Sequence, residues 1–143
     1  MSRRAGVLGL IVVVVAGCGS SHSSSNSGDV AKIKSTVTRA FAAIASGDAA
    51  TACSLATPAG QSTFEKLLGA SSCTKAVAEI GSVLTPQMKA ALKSAQVKKV
   101  SISGNTATIK NSDITAPQAN IGALPLPPTV LVKQPDGSWK LNS

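Results

Sequence analysis

Few side chains in this 143-residue sequence could do chemistry. The sulfur set is Cys18, Cys53 and Cys73. The sole histidine is His22, and the acids are Asp29, Asp48, Glu65, Glu79, Asp113 and Asp136. Tyr is absent. Paired cysteines two residues apart, or cysteines beside histidines, would suggest a redox or metal site. Neither pattern occurs, and His22 has no second ligand near it. It is read as incidental in a polar linker. Five of the acids have ordinary structural assignments: helix caps for Asp29 and Asp48, a turn for Asp136, and solvated helix faces for Glu65 and Glu79. Only Asp113 has none. A lone carboxylate without a partner is a poor basis for acid–base catalysis. The expectation is no catalytic residue, no cofactor and no metal.

Cys18 is set apart by what precedes it. Arg3 and Arg4 form a basic start. Ala5 to Gly17 is uncharged and rich in Leu, Ile and Val. A spanning helix needs ~20 apolar residues, whereas a shorter run after a basic start has the form of a signal segment. Val15-Ala16-Gly17-Cys18 then resembles the lipobox of bacterial lipoproteins. The resemblance implies acylation of the Cys18 thiol and cleavage before it. An ordinary secretory cleavage near Ala16, with an incidental cysteine, is the competing reading. A retained anchor helix is another, for which the apolar run is short. The expected organisation is a signal peptide over 1–17, a lipidated cysteine with a Ser/Gly tether over 18–28, and one domain over 29–143. The protein would then sit at the extracytoplasmic face of the cell membrane, since two acyl chains suffice for stable anchoring.

Losing Arg3 and Arg4 would leave twelve basic residues against six acidic, a net charge near +6. That charge suits an anionic lipid surface or an acidic envelope polymer. Nucleic acid is not an expected partner. The chain would be exported, and Phe41, Phe64 and Trp139 are too few and scattered for base stacking.

Cys53 and Cys73 remain as an even pair in an oxidising compartment. A structural disulfide is the leading reading; free thiols and a redox site are the others. A bridge over ~20 residues would contribute about 3 kcal/mol on the chain-entropy account.

The elements that must carry these residues follow from periodicity. Val30, Ile33, Val37, Ala40, Phe41 and Ile44 form one helical stripe, with Asp29 as N-cap and Gly47 as stop. Asp48 caps a short second helix through about Leu55. Thr57-Pro58 opens a third, with Phe64, Leu67 and Leu68 inward and Gly69 ending it. Ser72 caps a fourth, bearing Cys73, Val77, Ile80 and Leu84. Thr85-Pro86 opens a fifth, with Met88, Ala91, Leu92 and Ala95. The period then changes. Val97, Val100 and Ile102 read as one strand, turning at Gly104-Asn105 into Ala107 and Ile109. A looser stretch runs from Asp113 to Pro128. Thr129 to Lys133 and Ser138 to Leu141 read as two more strands, joined by a turn at Pro135-Asp136-Gly137. Helices followed by antiparallel strands predict an α+β fold.

This order is similar to an NTF2-like domain of the cystatin-like α+β group. The resemblance covers about residues 29–143. It rests on Ala40–Asp48, a long helix closing on Gly-Asp, on the Val100–Ile109 hairpin, and on the terminal run Asp136–Leu141. Small exported actinobacterial lipoproteins with a cysteine pair at such positions are similar. The resemblance implies a curved antiparallel sheet wrapped on the first helix, with a cone-shaped pocket between them. Only four strands are readable, fewer than fuller members have. Family enzymes place Asp, Tyr or His in that pocket, and the domain here has no Tyr or His.

The functional expectation is a non-enzymatic binding or accessory protein of the envelope, holding a lipid or other apolar ligand. A protein-interaction module and an isomerase- or hydratase-type enzyme using Asp113 are the alternatives. Trp139 is read as packing the last strand onto the helix rather than stacking on a ligand. Leu124–Pro128 is read as a stiff loop rather than a polyproline docking stretch. Lys89, Lys93, Lys98 and Lys99 are read as a solvated basic cluster before a lipid-facing one.

Overall fold

Five helices precede every strand. The computed structural model describes residues 23–116 and 129–143. The signal segment, Cys18, His22 and the Leu124–Pro128 stretch lie outside the described residues.

The helices are α1 (Ser23–Ser46), α2 (Ala49–Ser54), α3 (Pro58–Leu68), α4 (Cys73–Val83) and α5 (Pro86–Lys93). Four of them begin at the residues expected. Asp48, Thr57, Ser72 and Thr85 each accept a hydrogen bond from the backbone N–H three residues on, at 3.0 to 3.3 Å. Each such cap contributes about 1 kcal/mol and fixes where a helix starts. Gly69 ends α3 in the left-handed region at φ 67°, which costs a glycine little.

The start of α1 departs from the expectation. Asp29 is not its N-cap; the helix begins six residues earlier, inside the segment read as a tether. The apolar stripe supplies the nucleus, and each residue added beyond it gains one hydrogen bond. Asp29 is thereby freed for a different task, described below.

Among the described residues, six strands form two antiparallel sheets. A four-stranded sheet has the order β2 (Ser101–Ser103), β3 (Thr106–Ile109), β5 (Thr129–Lys133), β6 (Trp139–Leu141). A two-stranded ribbon pairs β1 (Gln96–Val97) with β4 (Ile114–Thr115). The run read as one strand is thus two, because Lys98 turns away to take the Asp113 carbonyl at 2.7 Å. The stretch from Asp113 holds the short β4, which two residues of alternation are too few to signal.

Two apolar clusters hold the domain. Ile33 and Val37 of α1 pack on Val97, Ala107, Ile109, Leu131 and Trp139 of the strands. Ile33, Val37, Ala107, Ile109 and Leu131 are fully buried. The second cluster joins α1, α2 and α4 through Ala43, Ala52, Val77 and the Cys53–Cys73 pair. Those cysteines form a disulfide with Cα atoms 6.0 Å apart, tying α2 to the first residue of α4. A parallel bridge between Ala56 and Leu141 joins the helical layer to β6. The Thr57 N–H donates to the Leu141 carbonyl at 2.7 Å, and the Leu141 N–H donates to Leu55 at 2.9 Å.

Candidate functional site

An apolar cavity with room for a ligand lies between the helices and the C-terminal strands. Phe41 and Ile44 of α1 border it, Phe41 also packing on the strand-side core. Phe64 and Leu67 approach from α3, Val77 and Ile80 from α4, and Leu92 from α5. Together with Thr129 of β5, Leu141 of β6 and Ser143 they border a half-open cavity of about 220 Å³. Sequence reasoning placed Leu67 inside. It is 59% exposed, at the rim, because its turn of α3 has no layer above it.

The cavity wall carries no ionisable side chain besides the bridged Cys73. Its polar side chains are largely committed to backbone. The Gln61 amide donates to the Cys53 carbonyl at 2.8 Å, and the Thr63 hydroxyl donates to Ala59 at 3.0 Å. What faces the space is hydrocarbon, two aromatic rings and Cys73. Such a site can exclude water and hold an apolar group. Among the side chains that line it there is no Asp, Glu, His, Lys or Arg.

The cavity reaches the edge of the helix–sheet interface, where Val37 and Phe41 of α1 face Thr129 of β5 and Leu141 of β6 across it. The space between α1 and the sheet is filled by Ile33, Val37, Ile109, Leu131 and Trp139. Trp139 belongs to that packing and is 2% exposed, so it is no ligand platform. Asp113 sits in a short 3₁₀ turn after β3 and does not line the cavity. Lys89 and Lys93 lie on α5, and Lys98 and Lys99 in the β1–β2 connection. Among the described residues, no group of three His, Cys, Asp or Glu side chains converges as a metal site would require.

A polar cluster that the sequence did not reveal lies at the other end of α1. The Asp29 carboxylate accepts the Trp139 indole N–H at 3.1 Å and the Lys133 ammonium at 2.8 Å. Lys133 Nζ also lies 5.8 Å from the centre of the Trp139 ring. The Lys133 hydrogen bond, and after it the indole N–H, holds the Asp29 carboxyl below its ordinary range. The Ser138 hydroxyl and N–H do the same for Asp136, and Thr51 does so for Asp48. The residues of this cluster are remote in sequence, so no spacing signals it.

Comparison with protein-family models, curated proteins and solved structures returned no match to this chain.

Proposed function

We propose that the protein is an exported lipoprotein, held at the outer face of the cell membrane through Cys18, whose domain binds one apolar small ligand in the helical cavity. The observation that carries the ligand reading is a half-open, hydrocarbon-lined space bordered by no Asp, Glu, His, Lys or Arg side chain. A cavity of ~150 Å³ takes a benzene molecule, and this one is larger. Its shape narrows the choice. Val37 and Ile44 both line it, so it runs along two turns of α1, or ~10 Å at 1.5 Å per residue. That length suits an elongated apolar group. The ligand class favoured is a single acyl or alkyl chain of modest length.

Anchoring rests on the sequence. Val15–Cys18 follows an apolar run of signal length, and no helix among the described residues is long and apolar enough to cross a membrane. An NTF2-like arrangement is supported by the long first helix lying on an antiparallel sheet.

The test is displacement of a fluorescent fatty-acid probe by saturated acids of increasing length. Competition should rise to an optimum length and then fall. Ile80→Glu, a half-exposed wall position that can admit a charge without unfolding, should weaken probe binding at least tenfold. A protein that binds no probe, and leaves its own host with bare polypeptide mass under gentle ionisation, sinks the ligand reading.

A further inference from the structure

Lysines gather around the start of α1 and the sheet beside it. All six acids of the chain lie among the described residues. Asp48, Glu65 and Glu79 lie on the helical side with Lys66, Lys75, Lys89 and Lys93, and Asp29, Asp113 and Asp136 lie at the opposite end. The end built from the start of α1 and the sheet carries Lys32, Lys34, Lys98, Lys133 and Lys140. Lys32 reaches from α1 to the Gly137 carbonyl at 3.3 Å, and Lys34 reaches to the Lys98 carbonyl at 3.3 Å. The two therefore flank α1, one toward the β5–β6 turn and one toward the β1–β2 connection.

Part of this charge is offset at close range: Lys133 forms a salt bridge with Asp29, the single one among the described residues, Lys32 also acts on Asp29, and Lys140 acts on Asp136. Lys32 and Lys34 hold backbone carbonyls, which orient the ammonium groups without neutralising them. Five lysines against three aspartates still leave this end with a surplus of two positive charges, against one for the helical side.

The chain's attachment point is at the same end. Helix α1 begins at Ser23, five residues past Cys18. Five residues span ~17 Å at full extension. That is shorter than the ten-residue linker apparent in the sequence, and the helix gives no slack beyond it. A domain held so closely turns one end toward its membrane, and charge within ~10 Å of a lipid surface is only partly screened.

We propose that this lysine-bearing end lies against the anionic headgroups of the bilayer carrying the anchor, leaving the helical cavity facing away from the membrane plane. The proposal rests on the anchoring reading and adds an orientation to it. The partner chemistry is an anionic phospholipid surface. Each lysine near such a surface strengthens partition about fivefold.

The experiment uses the acylated protein purified from membranes and returned to vesicles. One set is phosphatidylcholine alone, and the other contains one-third phosphatidylglycerol. Lysines are labelled with an amine-reactive ester and read by peptide mass spectrometry. On the anionic vesicles Lys32, Lys34, Lys98 and Lys140 should label at least threefold more slowly, with Lys66, Lys75 and Lys93 unchanged. The difference should vanish in 0.5 M salt. A Lys32→Gln/Lys34→Gln variant, its fold checked by Trp139 fluorescence, should lose the protection at Lys98 and Lys140. Equal labelling of the two lysine sets in acylated protein overturns the orientation and leaves the anchor standing. A mature chain without acyl mass overturns both. Protection of Lys66, Lys75 and Lys93 instead would place the opposite end on the membrane and refute the proposal.

Discussion

Asp29 and Trp139 meet across 110 residues of chain, carboxylate to indole N–H at 3.1 Å. This contact locks the start of the domain to its last strand. A buried indole N–H without an acceptor is costly, so Asp29 closes a hydrogen-bond account that the core cannot.

Asp29→Ala should therefore lower the melting temperature by ~5 °C. The same change in a Trp139→Phe background should cost clearly less, because the orphaned donor is gone. Thermal denaturation of the four proteins in the cycle gives the coupling. Additive losses would mean the contact carries no stability.

Acid should weaken the fold in a defined direction. Asp29, Asp48 and Asp136 all have folded-state pKa values below the ordinary 3.8. A depressed carboxyl favours the folded state above its unfolded pKa, and that contribution is lost as pH falls through the folded value. Urea midpoints should hold level from pH 7 to about 5 and decline toward pH 2.5. Asp29→Asn should flatten part of the decline. A midpoint that rises with acidification would contradict the assignment.

Removing the disulfide should be severe. Cys53→Ser/Cys73→Ser is expected to lose roughly 3 kcal/mol, a fall in Tm on the order of 10 °C. Reduction of the unmodified protein should reproduce the loss. The cavity should also suffer, since Cys73 forms part of its wall.

Gly60→Ala reverses the usual rule for helices. An exposed mid-helix glycine replaced by alanine gains about 1 kcal/mol. Here a Cβ would stand 2.5 Å from the Leu141 carbonyl oxygen and 3.1 Å from the Asn142 Cα. Backbone on both sides cannot yield, so a loss of about 1–3 kcal/mol is expected by chemical denaturation. Unchanged stability would show that β6 can move off α3.

Local chemistry was the legible part of this fold. The caps Asp48, Thr57, Ser72 and Thr85 sit where a short polar side chain and the following N–H groups decide the outcome. The stripe Ile33, Val37 and Ala40 is buried as its period requires. The strand Thr129–Lys133 lies within the bounds read from its residues. Less legible was anything set by distant neighbours. Asp29 looked like a cap because its own window contained nothing better; Lys133 and Trp139 claimed it. Leu67 fitted an inward stripe, yet no element covers that turn of α3. The cavity itself was unreadable, because its wall draws on all five helices and β6. The disulfide was reachable by parity and compartment alone, since two cysteines leave one pairing.

The clasp between Ala56 and Leu141 has a consequence for how the domain is made. Helices α2 and α3 leave the ribosome early, and their partner strand leaves more than eighty positions later, as the 85-residue separation of Thr57 and Asn142 measures. Contacts so distant along the chain form last and slowly. Until β6 arrives, the nascent chain has no closed core. A product truncated before Trp139 would accordingly not be a smaller domain but an open chain, exposed to proteases from the moment it appears.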